Sequence, residues 1–269
     1  MRPMKVVINR ANSYMTYNAT RIFYKSNVDI FGIRLTIPNK PGTLRKVLDT
    51  ISKRGINIGF IHGEEKDHYG EVFLVGYQHD REMLPELLRD LNSIVTKYEV
   101  IDSTKRGLVI DDRTIPVTYM NKRLVAASID LWHGLIRGVK EYLPESAYQA
   151  YLWHIGKSMG MAAVKLHKNL RSSQPPEVIV DHLRFGISMG WFISAEMEHY
   201  HNNEKIIIRV YGLWECKGIS TGAANSHLYR GFLAGLLSGL YNKEYIAIEE
   251  RCLSRGDDCC EFLLSSRAK

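Results

Sequence analysis

A chain of 269 residues, 45% hydrophobic and 24% charged, is long enough for one large domain or two small ones, each with its own core. No stretch approaches the ~20 apolar residues that span a bilayer. The opening MRPMKVVINRANSYM lacks the apolar run and small-residue cleavage site of a secretory signal, so a cytoplasmic protein with no membrane partner is expected. The formal net charge of +7 is spread along the chain without a dense basic cluster, which favours solvated surface charge over a nucleic-acid footprint.

Residues 1–27 are rich in Tyr, Thr, Val and Ile and predict an extended ribbon or dimer arm. From residue 28 a compact βαββαβ order is expected through 104. Strand 30–38 ends at Pro38, and a turn at Asn39–Gly42 follows. Thr43 then caps a helix with Leu44, Val47, Leu48 and Ile51 on one face. Gly55 stops that helix. GINIGFIHGE and EVFLVGY form two strands around a charged hairpin. A second helix carries Met83, Leu84, Leu87, Leu88 and Leu91, and KYEVIDS closes the unit. Residues 105–128 are expected to be a connector.

Beyond residue 129 the pattern turns helical, over 130–143, 146–167 and EVIVDHLRFG. A hairpin follows, GWFISAEMEHY with KIIIRVYGLWE, placing Ile206, Ile208, Val210, Gly212 and Trp214 on one strand face. Helix 226–242 carries Gly231, Gly235 and Gly239 at i+4 spacing, a penalty of roughly 2–3 kcal/mol against alanine. Close packing or a ligand must use that bare edge. A last hairpin, YIAIEERC and CCEFLLS, brackets a Gly-Asp turn. The fold class is therefore α+β.

All four cysteines, Cys216, Cys252, Cys259 and Cys260, lie at or beyond position 216. The spacing Glu249-x2-Cys252-x3-Gly256-Asp257-x2-Cys260 lets a hairpin gather two thiolates and a carboxylate, a donor set suited to Zn²⁺. On a regular strand Glu249 and Cys252 point to opposite faces, so a bulge near Arg251 is required. Cys259 points away from the ligand face and is assigned to core or surface. No P-loop, strand-linked GxGxxG, HExxH or GxSxG is present, and no nucleophile–base pair or helix-turn-helix stands out, so no enzymatic activity is expected. His199 and His201 flank a turn and are read as turn polarity.

The loop NKPGTL (39–44) and GINI (55–58) resemble the ACT domain, with Asn39 in place of the usual acid. That resemblance implies edge-to-edge dimers and an amino-acid-like effector near Gly42 and Asn57. YRGFLAGLLSGL with the Glu249–Cys260 hairpin resembles the 4-vinyl-reductase-like domain. This family includes phenol- and toluene-sensing regulator domains and archaeal proteins fused to ACT units. It implies a structural zinc held by Glu249, Cys252 and Cys260, beside a pocket for an aromatic or apolar ligand. The family's fourth zinc ligand is a cysteine at the position of Ser226. Cys216 is the leading substitute and His227 a second. The same resemblance suggests Trp214 and His182 as pocket residues, with Tyr229, Tyr245 and Gly235 able to line the cavity. The expected function is small-molecule sensing by a homodimer. The alternatives are a DNA-binding regulator using the basic ribbon and a subunit of a reductase-type enzyme.

Overall fold

The computed structural model describes residues 3–8, 22–26, 28–78, 83–101, 107–111, 118–119, 122–168, 174–200 and 205–266. The chain divides into two compact units, one built from the described residues between Ile22 and Val125, the other from β1 (Met4–Ile8) and the described residues from Ala126 onward. Among the described residues no helix is long and apolar enough to cross a membrane.

The first unit contains β2 (Ile22–Tyr24), β3 (Asp29–Pro38), α1 (Thr43–Lys53), β4 (Asn57–Glu65), β5 (Tyr69–Gln78), α2 (Met83–Leu91), β6 (Lys97–Ile101), β7 (Leu108–Ile110), and the short pair β8 (Thr118–Tyr119) and β9 (Lys122–Arg123). Its antiparallel sheet runs β4-β5-β3-β6. Period-2 alternation sends Ile33, Leu35, Ile37, Val72 and Leu74 to one face, where Val47, Ile51, Leu87 and Leu91 of the two helices close the core. Gly42 rather than Thr43 is the N-cap of α1, because the turn needs φ +85° there.

The second face of that sheet is also covered. β2 pairs with β7, Phe23 opposite Val109, and the ribbon packs Phe23 and Val109 onto Ile30, Phe73 and Val75. Arg34, reaching from the sheet, is ion-paired with buried Asp111 and with Glu99 at 3.2 Å. Part of the expected connector is thus core.

The second unit contains α3 (Ile129–Tyr142), α4 (Glu145–Lys168), α5 (Pro175–Ser188), β10 (Ser194–Tyr200), β11 (Lys205–Tyr211), α6 (His227–Tyr241), β12 (Tyr245–Arg251) and β13 (Cys260–Ser266). All strands pair antiparallel in the order β1-β10-β11-β13-β12. The expected N-terminal arm instead supplies the edge strand, with Val6 opposite Met197. Residues 9–21, most of the ribbon, lie outside the described residues, as does His201.

One sheet face carries Ala195, Met197, Ile206, Ile208, Val210, Phe262 and Leu264 into the core against α6. The other face is polar, with Arg209 bonded to Glu198 at 2.9 Å and ion-paired with Glu261. Helices α4 and α6 approach backbone to backbone. A Cβ on Gly156 or Gly160 would overlap the carbonyl oxygens of Leu228 or Phe232, and one on Gly231 or Gly235 those of Trp153 or Lys157. The helix-interior glycines are explained by this crossing.

Candidate functional site

The final hairpin positions most of the candidate metal ligands. Glu249 pairs with Phe262 and Arg251 with Glu261, so Glu250 is the extra residue of a bulge. The bulge resets the alternation and turns both Glu249 and Cys252 inward, as their spacing required. The Asp257 carboxylate then accepts the Cys252 N–H at 2.7 Å, closing the turn beneath the sulfur.

Donor atoms of Cys216, Glu249, Cys252 and Cys260 all lie within 4.8 Å of one another, and all four residues are buried. Tetrahedral zinc with Zn–S near ~2.3 Å spaces its sulfurs by roughly 3.8 Å, so the donor set fits this ion without rebuilding the backbone. The Sγ atoms of Cys216 and Cys252 are 3.5 Å apart. Backbone N–H groups of Asn225 and Leu253 point at the sulfurs of Cys252 and Cys260, at 3.4 and 3.5 Å, the polarity expected around thiolates. Hydrogen bonds from Cys216 and Cys260 hold the Cys252 thiol well below its ordinary range, while the same bonding pushes Cys216 up. Burial raises the Glu249 carboxyl to about 8.

Cys216 arrives on a 3₁₀ turn, Trp214–Cys216, because the chain leaves β11 at Gly212, where φ is +69°. Ser226 precedes α6, yet its hydroxyl does not cap the helix. It donates to Glu249 Oε1 at 2.6 Å and lies 3.1 Å from the Cys216 sulfur. Capping falls to Glu215, whose two carboxylate oxygens accept the N–H groups of Leu228 and Tyr229, both at 2.8 Å. Burial raises that carboxyl to about 7, opposed by the same two N–H groups. Sequence reasoning did not single out Glu215, and nothing in its immediate neighbours marks it. His227 is buried beside the cluster without contributing a donor to it. Cys259 is buried on the other side of the strand.

Beside the candidate metal cluster, aromatic rings gather between α5, α6 and the sheet. His182 stacks on Phe232 at 4.7 Å, and Trp191 meets both edge-on. Tyr229 contacts Phe192, Phe232 and Phe262 at centroid distances of 5.5–6.1 Å. Its hydroxyl is buried with no hydrogen-bond partner among the described residues. Burial pushes this phenol well above its ordinary range.

Trp214 departs from its expected place. Its ring lies against Trp132 and His133 of α3 at 5.7 and 6.1 Å, and Trp191 takes the position among the aromatic rings. Tyr245 packs on Tyr241, and Gly235 faces the Lys157 carbonyl rather than a cavity. In the first unit, Gly42 and Asn57 are far apart. Asn57 is level with Ile30 through Tyr77, whereas Gly42 lies in the turn after Pro38, whose rung is eight residues or roughly 27 Å along the sheet from that of Ile30.

Comparison with known proteins matches residues 31–96 to the ACT domain and residues 206–266 to the 4-vinyl-reductase domain. Over 58 residues the chain is 36% identical to an uncharacterized protein of Methanocaldococcus jannaschii, covering 21% of this chain and 36% of that relative. The chain therefore spans about a third of the curated relative it matches. Among solved structures it is similar to the phenol-responsive sensory domain of the transcription activator PoxR, at 15% identity and TM-score 0.46, over 54% of this chain and 77% of that one. It is also similar to a vinyl-4-reductase family protein from Methanocaldococcus jannaschii, at 17% identity and TM-score 0.37, over 54% and 85%. The chain thus carries an ACT domain followed by a 4-vinyl-reductase domain.

Proposed function

We propose that the protein is a small-molecule sensor whose second unit, the one containing the 4-vinyl-reductase domain, encloses a small aromatic or apolar ligand. The Tyr229 hydroxyl carries this reading. A buried hydroxyl without a partner costs about 1–3 kcal/mol, which a ligand oxygen arriving among the rings would recover. His182, Trp191 and Phe232 supply faces and edges for an aromatic guest.

Zinc held by Cys216, Glu249, Cys252 and Cys260 would tie the 3₁₀ turn to the final hairpin, a structural role. These residues need only hold the ion. Glu215 anchors the same turn to α6, so ring positions on that helix depend on the cluster remaining assembled.

For the ACT domain, the reading is an amino-acid-like effector bound between two copies. Antiparallel pairing of two β4 edges would bring the Asn57 end of one copy to the Gly42 end of the other, which a single copy does not do. A ligand favouring one arrangement at either site would couple the two.

Thermal denaturation with phenol, toluene and free amino acids tests the proposal. Phenol should raise Tm more than toluene, and Tyr229→Phe should erase the difference while keeping the toluene response. No stabilisation by any aromatic compound would refute ligand sensing in this unit.

A further inference from the structure

We propose a second small-molecule site, a cleft of about 260 Å³ beside α3, that binds a carboxylate carried on a compact apolar body. It is distinct from the aromatic interior around Tyr229. Its lining is His133, Ile136, Arg137, Lys140, Gly218 and Ile219. The four α3 residues fall at i, i+3, i+4 and i+7, so they share one side of the helix. Gly218 and Ile219 come from the turn immediately after Cys216, held by the Ile219 N–H bonded to the Cys216 carbonyl at 3.1 Å.

Charge identifies the ligand's head. The lining includes Arg137 and Lys140 and no carboxylate, and most of its surface is apolar, so a charged head would meet these cations at the edge of an apolar floor. Arg137 makes no hydrogen bond or ion pair among the described residues, whereas Arg209, Arg251 and Arg255 of the same unit each engage a carboxylate. The Lys140 ammonium touches only neutral partners, the Asn225 side-chain oxygen at 2.6 Å and the Tyr148 ring at 5.1 Å. Buried Glu215 acts on it through space, without an ion pair. Two cations with no carboxylate in contact, one of them a planar fork, suit a carboxylate ligand.

The walls identify the body. Ile136, Ile219 and the stems of Arg137 and Lys140 present apolar surface. The volume falls below the ~300 Å³ at which drug-sized pockets begin, leaving room for about one ring. Benzoate therefore fits head and body together. Acetate lacks the body and benzyl alcohol lacks the charge.

The test is calorimetric titration of the full chain with these three compounds. Benzoate should bind at least about tenfold more tightly than acetate, and more weakly as salt rises, whereas any benzyl alcohol binding should not change with salt. Arg137→Gln, at an exposed position, should weaken benzoate about tenfold and leave benzyl alcohol unchanged. Ile219→Glu, which sets a carboxylate in the opposite wall, should abolish benzoate binding, with circular dichroism confirming the fold. Tyr229→Phe should leave benzoate affinity untouched, separating this cleft from the aromatic interior. Benzoate binding that does not weaken as salt rises, or that is indifferent to both cleft variants, would overturn the proposal.

Discussion

The Ser226 hydroxyl lies 3.1 Å from the Cys216 sulfur, so two residues ten apart in sequence meet at one corner of the buried Cys–Glu cluster. In the proposed zinc site Cys216 would stand in for the cysteine that the 4-vinyl-reductase resemblance puts at Ser226. Cys216→Ala is therefore expected to lower zinc affinity by about 100-fold or more. Adding Ser226→Cys to that variant should restore affinity to within about tenfold of the parent. Chelator competition reads both numbers. Failure of the exchange to rescue would mean the two side chains are not interchangeable donors.

The glycines of the α4–α6 crossing should tolerate no side chain. Gly235→Ala drives a methyl into the Lys157 carbonyl and is expected to cost about 3 kcal/mol in urea denaturation. Gly134→Ala on α3 has open space around its Cβ and should stabilise by about 0.5–1 kcal/mol. Opposite signs for one chemical change would establish that packing governs the first site.

Tyr229→Phe should raise the stability of ligand-free protein by about 1 kcal/mol, because it deletes a buried hydroxyl that has no partner. A destabilised variant would indicate that the hydroxyl is satisfied in solution, removing the main support for a guest at that point.

Acid should weaken the polar face of the five-stranded sheet. Hydrogen bonds from Tyr200 and Arg209 hold the Glu198 carboxyl down at about 2, and Lys5 adds an ion pair at 3.0 Å. A depressed folded-state value stabilises above the unfolded carboxyl range. That contribution is lost as pH falls from about 4.5 toward 2. Solvent screening on this face reduces it to about 1 kcal/mol. Urea midpoints at pH 7 and pH 3 should differ less in Glu198→Gln than in the parent.

Both domains were legible because their signals are local. Periods of two and 3.6 mark the elements, and the parity of Glu249 and Cys252 required the bulge that the register shift at Glu250 supplies. What failed to show depends on distant neighbours. Trp214 reads as strand until Gly212 turns the chain, and the turn carries its ring to α3. Gly235 fits a ligand groove or a helix crossing equally well until α4 is placed against α6. Glu215 has no sequence signature because its partners are backbone N–H groups thirteen and fourteen residues later.

The edge position of β1 governs how the chain must fold. The strand precedes its pairing partner β10 by nearly two hundred residues, with the whole ACT domain between them in sequence. The five-stranded sheet is therefore finished by a late, long-range closure, and long-range pairing is slow. A fragment beginning at residue 126 would retain every proposed metal ligand but leave the β10 edge bare from Ser194 to Tyr200. Its unpaired backbone groups would template association with other chains. Solubility in such fragments would thus report on this strand rather than on the metal.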